Sequence, residues 1–406
     1  MLTFLHPESL CAIKEMPFGI LPLFFEGEEF PILVVKATKE TILAAKINYG
    51  FKIYIAPSLI SGQFTAGLIS AFFDDVDEPL TITTPLFDDD FSFDIIKLLL
   101  APRVCIHFFD ELSREQLVYH ATVSLHDETK WQLEKLVLVG FSLPIARKIL
   151  DDASIWFGLR TAEDDENAID ISLNESVYGE GFFIQDLRQE KHLFHGSQGF
   201  SHTVLERKEP GSYQEEDIIQ CLLSVFPAEE IFFSPKRTYD NEEMCDILII
   251  TNSRVLIIQA KDSPNIERIS RQTINRKKSN GISSLKKAIA QVKGAIKYFN
   301  KENGLLEFLI DGKLHQIKTD DLCVHTLIVV KELFDDMYDE YSPLLIDLMQ
   351  EKSSPCIALD YPELYRYCLY TKNEESFFNA YNVVLNHAVT HGVYPRLRFG
   401  LTDLNE

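Results

Sequence analysis

Two short apolar runs, residues 247–250 and 255–258, flank the polar tetrad 251–254 near the middle of the chain. The spacing predicts two buried strands joined by a tight turn. Asp246 enters the first strand, and Gln259 and Lys261 leave the second. Strand side chains alternate between faces, so Val255, Ile257, Gln259 and Lys261 share one face, while Leu256, Ile258 and Ala260 share the other. Two polar groups thus end an apolar strand face, with a carboxylate expected on the adjacent strand. Burying such groups costs free energy unless they are paired or bind something.

The surrounding pattern is α/β from residue 212 onward. Ser212 is placed to cap a helix carrying Ile218, Ile219, Leu222, Leu223 and Phe226, ended by Pro227. A strand is expected at 231–234, then the two strands above. An amphipathic helix over 282–299 follows, with Leu285, Ile289, Val292, Ile296 and Phe299 on one face. Further strands are expected at 322–330 and 355–359, and helices at 344–350 and 374–391. Upstream, 30–35, 52–56, 80–84 and 104–109 read as strands and 38–47 as a short helix, while 93–100 fits either. Helical periodicity runs through 128–160, interrupted at Gly140 and Pro144, and 161–212 loses it. The expected organisation is a mixed strand-rich α+β module over 1–125, a helical and irregular connector over 126–208, and an α/β domain over 209–406 with its core at 210–330. No chemistry is assigned to the first module.

At 406 residues the chain exceeds one ordinary core. It has no apolar run long enough to span a membrane and no basic region ahead of an apolar N-terminal stretch, so neither a membrane span nor a signal peptide is expected. Seven scattered cysteines without a CxxC pair argue against a disulfide frame or structural zinc, and for a reducing compartment, the cytoplasm. The net charge of −23 is unevenly spread: residues 1–200 carry 15 Lys/Arg against 31 Asp/Glu, but 201–300 carry 15 against 13. Within 261–301, eleven basic residues stand against two acids, Asp262 and Glu267. Local charge decides where a polyanion docks, so the total does not exclude nucleic acid.

A helix with glutamates, a strand opened by Asp246, a strand ending Gln259-Ala260-Lys261 and a basic helix together resemble the PD-(D/E)xK nuclease superfamily. This is the restriction-endonuclease-like fold, a mixed sheet flanked by helices. The similarity is to its Mrr-like branch, which has glutamine at the acidic position of the third motif, and it covers roughly 210–300, reaching 330 where the strand 322–330 is counted with it. The resemblance implies a Mg²⁺-dependent deoxyribonuclease, with Mn²⁺ able to take its place. Asp246, Glu216 and the carbonyl of Ala260 would hold metal. Glu215 is the neighbouring choice to Glu216, and Glu242 and Glu243 rank behind both. Gln259 would position the attacking water and Lys261 would stabilise the attacking group. Gln291 matches a polar position on the following helix. The basic segment, with Arg268, Arg271, Arg276, Lys277, Lys278, Lys286 and Lys293, would hold DNA phosphates. A homo-oligomer is expected, because such nucleases often dimerise to cut both strands. The N-terminal module would act as a regulatory, sensing or oligomerisation domain, and association with the branch suggests restriction or anti-phage defence. The alternative is a catalytically silent nucleic-acid-binding or protein-interaction factor that keeps the fold.

Other motifs carry less. His387 and His391 have the spacing of a metal pair, but no glutamate lies between them as in HExxH. His192 and His195 fall in the irregular region. No GxSxG elbow is present.

Overall fold

The computed structural model describes residues 1–75, 78–179, 183–209, 211–300, 304–397 and 399, apart from the side chain of Ser212. Among these residues the N-terminal half is built on an eight-stranded sheet. Its strands are β1 (Gly19–Leu23), β2 (Ile32–Lys36), β3 (Gly50–Ile60), β4 (Gln63–Phe72), β5 (Leu80–Pro85), β6 (Arg103–Phe109), β7 (Glu115–Ser124) and β8 (Ile169–Ser176), ordered β1-β2-β6-β7-β8-β3-β4-β5. The helices are α1 (Leu2–Leu5), α2 (Ser9–Glu15), α3 (Lys39–Ile47), α4 (Asp90–Leu99), α5 (Asp127–Lys135), α6 (Leu143–Gly158) and α7 (Ala162–Asn167). Thr38 caps α3 by accepting the backbone N–H of Thr41 at 3.3 Å. The ambiguous stretch 93–100 falls in α4, because Asp89 accepts the N–H of Ser92 at 2.8 Å and starts a helix.

The expected connector differs most. β8 enters the sheet between β7 and β3, antiparallel to both, and buries Ile169, Ile171 and Leu173. Helix α6 lies against β3 and β4, with Ile149 and Ala153 fully buried. This stretch therefore belongs to the core of the N-terminal module. Only β9 (Ile184–Asp186) and β10 (Ser201–Thr203), a short antiparallel ribbon, retain a linking character among the described residues there.

The C-terminal half contains α8 (Gly211–Leu222), β11 (Ile231–Phe233), β12 (Lys236–Arg237), β13 (Ile247–Ile250), β14 (Arg254–Lys261), α9 (Glu267–Ser270) and α10 (Ile274–Phe299). It continues with β15 (Leu305–Ile310), β16 (Lys313–Lys318), β17 (Cys323–Val330), α11 (Tyr338–Lys352), β18 (Cys356–Asp360), α12 (Tyr361–Thr371) and α13 (Glu374–His391). The main sheet has the order β11-β13-β14-β17-β18. β11, β13 and β14 are successively antiparallel, whereas β14, β17 and β18 run parallel. Parallel neighbours need a crossover, which α10 and α11 provide. β12, β15 and β16 form a small separate sheet. The two strands of the central hairpin are almost wholly buried, as continuous Ile/Leu/Val runs demand. Thr251 makes the turn: its N–H donates to the Arg254 carbonyl at 2.9 Å, and its hydroxyl oxygen accepts the N–H of Arg254 at 3.1 Å.

Helix α8 starts at Gly211, which puts Ser212 in its first turn, and the Ser212 side chain expected to cap it lies outside the described residues. Helix α10 starts at Ile274, earlier than residue 282, because tertiary contacts hold its first turn. Asp75 accepts the N–H of Ile274 at 3.2 Å, and Asp74 pairs with Lys277 at 2.5 Å. These contacts form one part of a charged seam between the halves. At its centre the β6–β7 turn and the start of α3 grip α8. Lys39 donates to Asp217, Arg114 lies 2.8 Å from Asp217, and Arg114 also donates to Asp110 at 2.7 Å. Lys331 pairs with Glu40 at 3.4 Å beside them.

Candidate active site

The end of β14 meets the start of β13 as the alternation requires. Asp246 precedes β13 and is 2% exposed. Its Oδ2 accepts the Ala260 backbone N–H at 2.6 Å and the Gln259 side-chain amide. Gln259 is likewise buried, while Lys261 at the strand end is partly open. Burial pushes the Asp246 carboxyl up to about 6, against Lys261 and the Ala260 N–H, with Glu243 adding to the rise.

Helix α8 brings Glu215, not Glu216, to this point. Residues three, four and seven apart share a helix face, and Glu215 stands on the stripe of Ile218, Ile219 and Leu222, all fully buried. Burial, then the Asp246 and Glu243 carboxylates, raise Glu215 to about 8, opposed by Lys261. Glu216 is turned about 100° away, one residue's rotation of an α-helix. It is raised to about 7 by burial and then Asp217, countered by the backbone of His202 and by Arg114. Its electrostatic partners are thus those of the module seam. Helical phase therefore favours Glu215, the neighbouring choice, over Glu216.

Glu243 is the acid that the loop contributes. It feels both Glu215 and Asp246, and its Oε1 accepts the Ser234 hydroxyl at 2.6 Å. Gln291 on α10 shares a cleft of about 160 Å³ with Gln259, Glu243, Arg237 and Tyr298. Among the described residues, no three or more His, Cys, Asp or Glu side chains gather closely enough to form a ready-made metal cage. Magnesium sites ordinarily need only one or two carboxylates, with waters and substrate oxygens completing the shell. The donors here are oxygens, as a hard cation requires. Burial and the neighbouring carboxylates favour the protonated form of Glu215, which a bound cation would have to displace.

The basic segment is less open than its composition implies. Lys277 is buried against Asp74, Lys278 pairs with Asp336 at 2.5 Å, Lys293 pairs with Glu351, and Arg271 pairs with Glu267 at 2.8 Å. Lys277 therefore serves the seam. Arg268, Arg276 and Lys286 are exposed, as are Lys287 and Lys297, and no ion pair holds any of them among the described residues. Lys301 lies outside the described residues.

The histidine candidates are structural or solvent-facing. His195 stacks on Phe232 with ring centroids 4.4 Å apart, His192 Nε2 lies 3.1 Å from the Asp186 carbonyl, and His387 and His391 are exposed. All seven cysteines are free. Among the described residues, no helix is long and apolar enough to cross a membrane. No family model matches the chain, and no curated protein matches it.

Substitution separates the two glutamates. Glu215 has a raised pKa, so its folded form holds a proton that the unfolded chain releases, and it costs stability as pH rises through the interval from the ordinary carboxylate range to about 8. Without divalent cations, Glu215→Gln is expected to raise the unfolding free energy at pH 8 by on the order of 1–3 kcal/mol, seen as a higher melting temperature, and to change little at pH 4.5. The same change should abolish any metal-dependent activity of the site. Glu216→Gln should leave that activity near the parent level. Thermal melts at both pH values and one activity assay check the assignment, and equal losses of activity in both variants would refute it.

Proposed function

We propose that this chain is a Mg²⁺-dependent endonuclease that hydrolyses phosphodiester bonds of DNA, through a PD-(D/E)xK-like site of the QxK type. The observation that carries the reading is the convergence of Glu215, Asp246, Gln259 and Lys261 at the junction of α8, β13 and β14. A mixed five-stranded sheet with an antiparallel hairpin and a following crossover helix is consistent with that fold.

Asp246 and Glu215 would hold the metal, with the Ala260 carbonyl beside them and Glu243 in reach of an outer position. The bound cation would supply charge neutralisation at the phosphate and make water a stronger acid. Lys261 places a positive charge where the attacking and developing negative charges lie. Gln259 fixes the orientation of Asp246 through its amide and leaves its carbonyl oxygen able to accept from water. Arg268, Arg276, Lys286, Lys287 and Lys297 would contact phosphates, a smaller set than the sequence suggests. A role in restriction or anti-phage defence fits such an activity, as does a homo-oligomer that cuts both strands.

One observation favours a second reading, a catalytically silent binding factor. Asp246 Oδ2 already accepts two hydrogen bonds, which is what a purely structural strand-end lock would show. Incubation with linear, circular and single-stranded DNA, and with RNA, in Mg²⁺, Mn²⁺ or EDTA separates the two. The nuclease reading expects metal-dependent cleavage of DNA that EDTA stops. Absence of cleavage by the folded protein with either metal would favour the silent factor, and cleavage of RNA alone would reassign the substrate.

A further inference from the structure

Both tryptophans of the chain, Trp131 and Trp156, line a single cleft of about 420 Å³ in the N-terminal module, far from the residues just described in sequence. Tyr54 of β3 and Phe64 of β4 complete its aromatic lining, and α5, α6 and α7 contribute Gln132, Trp156, Asp164 and Asn167. Phe64 is 72% exposed and Trp131 60%. Large aromatic surfaces left in water inside a concavity of this size mark binding sites more often than plain surface. Thr65, 1% exposed, also lines the cleft, and its hydroxyl has no hydrogen-bond partner among the described residues.

Charge selects the class of ligand. Aromatic faces carry negative potential, and Tyr54 stands edge-on to Trp156 at 6.3 Å with its hydroxyl donated to Asp165 at 2.8 Å. Lys135 and Asp164 are the charged residues of the lining. Around them α7 carries four consecutive acids, 163–166, and residues 127–170 carry ten acids against five basic residues. With Lys135 and Asp164 balancing within the lining, this net acidity of the surrounding segment favours a cation over a nucleotide or other polyanion.

We propose that the cleft binds a small organic cation, a quaternary ammonium or guanidinium compound, with its charge among the rings of Phe64, Trp131 and Trp156 and its polar substituent on Gln132. The site is independent of the phosphodiester chemistry proposed for the C-terminal half. Because both tryptophans sit in it, intrinsic fluorescence of the full-length protein reports on it directly. Titrations would use choline and agmatine as cations, 3,3-dimethyl-1-butanol as the uncharged isostere of choline, and AMP as the anion. At least one cation should shift the emission saturably, the isostere should bind at least tenfold more weakly, and AMP should do nothing. Phe64→Ala keeps both reporters and removes only an exposed ring. It should weaken the cation at least tenfold with an unchanged melting temperature. The proposal fails if the isostere matches choline, if AMP binds in preference, if Phe64→Ala leaves affinity unaltered, or if neither cation gives a saturable change.

Discussion

Replacing Lys261 by alanine is expected to abolish DNA cleavage while leaving DNA binding near the parent level. Lys261 ends β14 beside two raised carboxylates, and its charge lowers the pKa of both Glu215 and Asp246. A positioned charge-stabilising group at a reacting centre contributes about 10²–10³-fold in rate. Lys261 would be one of several cations near a bound DNA, so loss of a single phosphate contact would not lower the rate alone by that much. Plasmid nicking under single-turnover conditions, beside an electrophoretic binding assay, reads the two quantities separately. Rate and affinity falling together by a small factor would mean that Lys261 only holds backbone phosphate.

The second large effect is expected at Asp217. Burial alone would raise this carboxyl, but Arg114, then Lys39 and Arg207, hold it well below the usual range. Lys39 and Arg114 belong to the N-terminal module, and their side chains are 2% and 10% exposed. Removing one member of a buried ion network leaves charges uncompensated and typically costs about 3–5 kcal/mol. Asp217→Ala should therefore destabilise the whole chain by that order. Since its folded pKa is depressed, the stability it contributes is present above the ordinary carboxylate range and fades as pH falls through and below it. The penalty should thus be full at pH 7 and shrink toward pH 3 in denaturant titrations. Asp217 lies two residues from Glu215 on α8, so cleavage should suffer as well. A loss below about 0.5 kcal/mol, the scale of ordinary surface substitutions, would show that the seam is not a structural joint.

The sequence disclosed those elements whose own side chains decide them. The hairpin of β13 and β14 is two apolar runs around a polar turn, and α13 was legible to the residue because Asn373 caps it and the helix periodicity runs unbroken to Gly392. β8 was hidden because its alternation of Ile169, Ile171 and Leu173 with polar residues lies between acidic stretches, and only pairing with β7 and β3 makes it a central strand. Asp246, Gln259 and Lys261 were visible as polar groups ending apolar strands. Glu215 could have been chosen over Glu216 by counting back seven, four and three positions from Leu222, Ile219 and Ile218. The fate of the basic segment was not legible in the same way. Nothing near Lys277 in sequence announces Asp74, which reaches it from the other module.

The most direct test of the account is the nicking rate of supercoiled plasmid by the parent protein and by Lys261→Ala, each with Mg²⁺ and with EDTA. Cleavage by the parent is expected in Mg²⁺ alone, and none above background by the variant in either condition. Equal cleavage by parent and variant, or cleavage that persists in EDTA, would contradict it.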